Sequence, residues 1–267
     1  MKYYNQKVSN GLTYSLDMIR LSCSASYKEL ERFLSDYNES NQAKQLKLDK
    51  PSYVLMKYKN FITIEYFGFG VLKMGFHMNG ICRERLERGF VEFNPNKLGN
   101  SEDFWEDFKL IKSHIDILGI TRFDLAIDIP KYRNKIAFVK DNRMYSCIQK
   151  SNLNFTEYLG KKNKPGRVKL YNKQIEMDLE YPLTRLEITC SENKVNLPKV
   201  VDLSLLKGAD LELMQIILLS GDLTQAIAKL TPYKRGKVNQ ILENYLIQFD
   251  SDCINTITRY AKDLVYE

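Results

Sequence analysis

From Arg122 to Asp128 the chain reads Arg-Phe-Asp-Leu-Ala-Ile-Asp, apolar and polar by turns. Side chains of an extended strand alternate between two faces, so Phe123, Leu125 and Ile127 take one side and Asp124, Ala126 and Asp128 the other. The same period runs through TYSLDMIRLSCS, where Tyr14, Leu16, Met18 and Arg20 share a side, and through GFVEFNPNKL, RVKLYNKQIE and TRLEITC. YVLMKYKNFITIEYFGFGVLKMGFH reads as strand, turn, strand with glycines at the bends; MYSCIQK and TEYLG add shorter candidates. Period-two stretches in this number must be closed into a sheet.

Two segments break the pattern with helical spacing. YKELERFLSDYNE places Leu30, Phe33, Leu34 and Tyr37 on one stripe, and EDFWEDFKLIKSHIDILG predicts a helix carrying Trp105 into the core and ending at Gly119. Beyond Leu197 the texture turns helical, in ADLELMQIILLSGDLTQAIAKL and KVNQILENYLIQFDSDCINTITRYAKDLVYE, joined by TPYKRG. The expectation is an α+β protein: a largely antiparallel sheet with flanking helices over residues 1–197, then a helical C-terminal region over 198–267.

A 267-residue chain with 44% hydrophobic residues has room for a substantial core. No apolar run approaches the roughly 18 residues of a membrane span, and MKYYNQKVSN lacks the signal-peptide pattern. Cys23, Cys82, Cys147, Cys190 and Cys253 are scattered, which suits reduced thiols in the cytoplasm rather than a zinc site. Forty basic residues against 33 acidic ones give a net charge of +7, favouring a polyanionic partner. The cations cluster. Lys161, Lys162, Lys164 and Arg167 crowd one segment; Lys234, Arg235 and Lys237 lie between two expected helices, where they could meet phosphates.

The chemistry-bearing types fall on strand faces. Asp124 and Asp128 share one; on TRLEITC, Arg185, Glu187 and Thr189 share another; Glu92 lies on the strand of GFVEFNPNKL. Carboxylate oxygens of this kind suit Mg²⁺ or Mn²⁺, though each acid is equally an ion-pair partner for Arg122, Arg185 or a lysine. In RVKLYNK, Arg167, Lys169, Tyr171 and Lys173 share a face, so Tyr171 lies among cations that favour phenolate and neutralise charge on an attacked phosphate. Tyr158, beside Glu157, is the rival nucleophile.

At GFVEFNPNKL, TRFDLAIDIP, TEYLG, KKNKPGRVKLYNKQIE and LTRLEIT, in this order over about residues 12 to 190, the sequence resembles the Rep_trans-type initiators of small rolling-circle plasmids of Gram-positive bacteria. It also resembles the related MobT-type relaxases of conjugative elements. The resemblance implies a metal-dependent nicking and strand-transfer enzyme acting at the plasmid's double-strand origin. Its tyrosine, falling on Tyr171 with Lys173 two residues on and Lys169 two before, takes the 5′-phosphate. The freed 3′-OH primes synthesis while a host helicase unwinds, and a second cut rejoins the ends.

The family's strand acids fall on Asp124, Asp128 and Glu187, with Glu92 a further candidate. The turn bearing Lys161, Lys162 and Lys164 would grip the DNA backbone, and the C-terminal helices would serve DNA binding or a homodimer. Initiators of the HUH class hold metal through two closely spaced histidines; here His77 and His114 lie far apart. The absence of an N-terminal helix-turn-helix pattern favours plasmid replication over the relaxase reading. A DNA-binding regulator without catalysis is the alternative from another class.

Overall fold

The alternating stretches are strands in the computed structural model, which describes residues 6–40, 60–77, 84–219 and 223–266. In chain order these are β1 (Gln6–Ser9), β2 (Leu12–Ala25), α1 (Tyr27–Ser40), β3 (Asn60–Tyr66), β4 (Gly70–Phe76), β5 (Glu87–Phe93), α2 (Pro95–Leu98), α3 (Glu102–His114) and β6 (Asp116–Ile129). Then follow β7 (Ile136–Val139), β8 (Tyr145–Gln149), β9 (Phe155–Leu159), β10 (Val168–Asn172), α4 (Lys173–Met177), β11 (Thr184–Cys190) and β12 (Lys199–Asp202). Four helices close the chain: α5 (Gly208–Leu219), α6 (Leu223–Ala228), α7 (Pro232–Asn244) and α8 (Ser251–Tyr266). The class is α+β, and the strand pairs of defined register are antiparallel. The stretch before Asn60 in the expected strand-turn-strand segment lies outside the described residues, as does Cys82.

Two compact units divide the chain. The first takes residues 15–125 and 255–267 with the N-terminus; the second takes 8–14 and 126–254. In the first, strands run in the order β3-β4-β5-β2-β6. Its core is aromatic: Phe93, Phe104 and Phe108 meet with centroids 5.0 to 5.7 Å apart. Helix α3 starts on Ser101, whose hydroxyl accepts from Phe104 N–H, and His114 at its end reaches Asp36 of α1 at 2.9 Å. The second unit has the order β6-β11-β10-β9-β8 and a β12-β7 ribbon. Val139, Val201, Leu203, Met214, Ile217, Val238 and Ile241 pack that ribbon against α5 and α7.

Several boundaries differ from the sequence expectation, each for a local reason. Helix α3 stops at His114 rather than Gly119, because Asp116 to Leu118 already belong to β6. Strand β10 ends at Asn172, whose side chain accepts from Ile175 N–H and starts α4; Lys173 is therefore the first helical residue and does not continue the strand alternation. The last expected helix is two, since Ile247 N–H donates to Val200 O and draws residues 245–250 out of helical form. Pro232, with Thr231 as cap, starts α7 inside TPYKRG, so Lys234, Arg235 and Lys237 are helical residues and not a linker. Along β2 the buried apolar positions are Leu12, Tyr14 and Leu16, then Ile19, Leu21, Cys23 and Ala25; the phase shifts at Asp17–Met18 and leaves Met18 and Arg20 half-buried.

Candidate active site

Register fixes the face on which Tyr171 stands. Tyr171 pairs with Arg185 and Lys169 with Glu187 across β10 and β11, while Lys169 pairs with Tyr158 across β10 and β9. Directly opposed residues of an antiparallel ladder point the same way, so Lys169, Tyr171, Tyr158, Arg185 and Glu187 share one face. Arg185 brings in Asp128, donating Nε to Oδ1 at 2.6 Å and Nη2 to Oδ2 at 2.7 Å. The opposite face buries Val168, Leu170, Leu186 and Ile188, with Glu157 opposite Leu170.

Tyr171 itself is only 6% exposed. The Lys169 ammonium lies 3.8 Å from its ring centroid and 3.5 Å from a Glu187 carboxylate oxygen, so this lysine spans ring and acid. Lys173 lies farther from the ring, 5.8 Å, and its ammonium donates to Glu176 Oε2 at 2.5 Å. Tyr171 acts on the same Glu176 carboxylate, favouring its ionised form. Burial pushes that carboxyl up. The hydrogen bond and charge of Lys173, the charge of Lys169 and the influence of Tyr171 outweigh it and hold Glu176 below the usual carboxylate range.

Sequence reasoning missed Glu176. Read as strand, GRVKLYNKQIE puts Glu176 five residues beyond the tyrosine with nothing to return it. The one-turn helix α4 folds it back, and the signal was present as Asn172 followed directly by the i,i+3 pair Lys173 and Glu176. Tyr158, the rival nucleophile, stands on the same face with the Arg167 guanidinium 4.6 Å from its ring centroid.

The remaining expected acids are divided between the two units. Asp124 and Glu92 belong to the first unit, where Asp124 lies 3.9 Å from Arg122 and Glu92 accepts from Arg20 at 2.6 Å. In the second unit Asp128 is held by Arg185 and Glu187 by Lys169. Among the described residues no three His, Cys, Asp or Glu side chains gather as a metal site. As arranged, each of these carboxylates lies beside a cation.

Lys161, Lys162 and Lys164 stand exposed on the turn between β9 and β10. Its ends are Gly160 and Gly166, with φ of 90° and 86°, tied by Gly160 N–H to Met144 O and Gly166 N–H to Thr189 O. On α7, Lys237 donates to Asp210 at 2.6 Å, Arg235 reaches the carbonyls of Ala228 and Leu230, and Lys234 is exposed.

Among the described residues no helix is long and apolar enough to cross a membrane. No protein-family model and no curated protein matches the chain. Among solved structures it is similar to a rolling circle replication initiator protein from Geobacillus stearothermophilus, at 16% identity over 96% of this chain and 97% of that one, with a TM-score of 0.40.

Proposed function

We propose that this protein is a replication initiator that nicks and rejoins single strands at a plasmid origin through Tyr171. The carrying observation is the burial of Tyr171 beside the ammonium groups of Lys169 and Lys173, the second of which holds the Glu176 carboxylate at 2.5 Å. Neutral tyrosine is a weak nucleophile, so an ionised carboxylate that acts on the phenol is the group the reaction needs. The motif resemblance around residues 166–176 supports the same assignment.

In the proposed step the Tyr171 oxygen attacks phosphorus while its proton passes to Glu176. The phosphorus–O3′ bond breaks, the 3′ oxygen leaves as the alcohol after taking up one proton, and the 5′-phosphate stays on Tyr171. One phosphodiester replaces another, so the reverse attack by a 3′-OH rejoins the strand. Lys169 and Lys173 offset charge on the non-bridging oxygens. Glu176 is kept ionised by its lysine, which leaves it a weak base; proton transfer must then accompany attack rather than precede it. A divalent ion enters this proposal only through Asp128 and Glu187, each of which would have to exchange its cation for the metal. The turn with Lys161, Lys162 and Lys164 supplies backbone contacts.

The test uses supercoiled plasmid carrying the coding sequence and its flanks, incubated with Mg²⁺ or Mn²⁺ and resolved on denaturing gels. Wild-type protein should relax it and form a covalent adduct. Tyr171→Phe should bind the same DNA and form none. An adduct that persists in Tyr171→Phe and vanishes in Tyr158→Phe assigns the chemistry to Tyr158. Absence of any adduct with either metal leaves the DNA-binding regulator.

A further inference from the structure

The outer half of the tyrosine face stays open to solvent. Strand β8 pairs Ser146 with Tyr158 and Ile148 with Thr156, so these four residues point to the same side as Tyr171. Ser146 and Ile148 are exposed, Ile148 by 59%, and Tyr158 and Thr156 are half-buried. On the other face Leu159, Val168 and Leu170 are fully enclosed. An aromatic ring, a β-branched residue and an isoleucine are thus left at the surface in a sheet that buries its apolar side chains elsewhere.

Tyr158 stands between the lysine turn and Tyr171. Arg167 closes that turn, its N–H donating to Lys164 O at 3.2 Å, and its guanidinium lies 4.6 Å from the Tyr158 ring centroid. Two residues on, Lys169 lies directly opposite Tyr158, and its ammonium is 3.8 Å from the Tyr171 ring centroid. Cations therefore link the turn to Tyr158 and the Tyr158 rung to Tyr171. From the Lys169 rung to Tyr171 the strand advances about 7 Å, roughly the rise of two stacked nucleotides. A DNA strand gripped at the turn, with its phosphate at Tyr171, crosses the rung of Tyr158 and Lys169.

The chemistry of this rung suits an unpaired base. A phenol ring with a guanidinium against it is a flat, cationic surface, and every base has a π-face to lay on it. In a duplex that face is hidden between neighbouring base pairs, so only an unstacked base reaches the ring. The charges agree. Arg167, Lys169 and the three turn lysines stand against Glu187 and Asp128, and each of those acids already faces a cation of its own.

We propose that Tyr158, with Arg167, is a stacking platform for an unpaired base of the DNA strand, about two nucleotides from the phosphate attacked by Tyr171. This rests on the nicking reading above and gives Tyr158 a binding role in place of a nucleophilic one. The platform holds the strand in line while Tyr171 does the chemistry. Because stacking tolerates any base, it favours melted DNA over duplex and adds little sequence preference.

The experiment uses Tyr171→Phe protein, so that no adduct contributes, and compares oligothymidylate with an abasic strand of equal length. The platform should make the thymidine strand bind about tenfold tighter. Tyr158→Ala in the same background should remove most of that preference, and Tyr158→Phe, which keeps the ring, should retain it. A preference unchanged by Tyr158→Ala, or lost equally in Tyr158→Phe, overturns the platform. A second measurement leaves Tyr158 in place: a strand containing 4-thiothymidine should crosslink on irradiation to the peptide that holds Tyr158. Crosslinks confined to other segments overturn the platform as well. A base preference that needs the Tyr158 ring, in a protein whose parent forms no adduct on plasmid, overturns the nicking reading alone. An adduct at Tyr171 without that preference overturns the platform alone.

Discussion

Arg185 grips Asp128 with a two-pronged hydrogen bond, at 2.6 and 2.7 Å, with the two side chains 9% and 15% exposed. A charge pair this far from water adds little net stability, yet removing one partner strands the other. Asp128→Asn should therefore lower stability by about 3 kcal/mol. The loss should be equal with and without Mn²⁺ in thermal melts. A double variant Asp128→Leu/Arg185→Met should recover much of it. A parent protein that Mn²⁺ stabilises, with that gain absent in Asp128→Asn, would instead make Asp128 a ligand.

The strands of this face were legible because alternation is a property of the local chain. Asp124, Asp128 and Glu187 were placed on strands, and β6 and β11 carry them. Partner choice was not legible: Asp128 could have met Arg122, Arg185 or a lysine, and only the pairing of strands selects Arg185. Element ends were hidden for another reason. Asn172 fits a strand as well as a cap, and the outcome depends on whether its side chain finds the Ile175 N–H. That single turn decides where Lys173 and Glu176 stand, so half of the candidate site rests on a cap rather than on a period.

A second buried cation tests how the far strands of this unit are held. The side chain of Arg133 is fully enclosed, bonded to Glu157 and lying 4.1 Å over the Phe155 ring, while Tyr145 donates to the same glutamate at 2.8 Å. Burial pulls the Arg133 guanidinium down against the charge of Glu157, and burial followed by the Glu157 charge pushes the Tyr145 hydroxyl up. Arg133→Met should cost about 3 to 5 kcal/mol by leaving Glu157 buried and unmatched. Arg133→Met/Glu157→Gln should melt well above the single variant. If the two melt alike, the loss comes from packing against Phe155 and not from charge.

The position of Glu176 predicts a pH dependence. Its folded pKa is depressed, so its contribution to stability is present above the unfolded value of about 4.3 and is lost as pH falls through the lower folded value. The ionised form needed to take the Tyr171 proton persists over the same range. Burial is the largest influence and acts upward, so removing Lys173 leaves it unopposed by its chief counterweight. In Lys173→Met the acid limb of the adduct-formation rate should move to higher pH than in the parent. Circular dichroism at each pH would confirm that both proteins remain folded. Coincident limbs would show that Lys173 does not set the ionisation of Glu176.

The two basic clusters should differ in how they feel salt. Lys161, Lys162 and Lys164 stand on a turn whose glycine ends are tied to Met144 and Thr189, so their ammonium groups project from a fixed base. On α7, Lys237 is already joined to Asp210, and Arg235 is turned onto the carbonyls of Ala228 and Leu230. Each phosphate neutralised contributes about 0.9 to the slope of log affinity against log salt. Replacing the three turn lysines with alanine should flatten the slope by about 2 to 3. Replacing Lys234, Arg235 and Lys237 should flatten it by about 1, since only Lys234 meets phosphate without first giving up an Asp210 or carbonyl contact. Equal changes from both triple variants would put α7 on the DNA as fully as the turn. An unchanged slope in the turn variant would remove that turn from the interface.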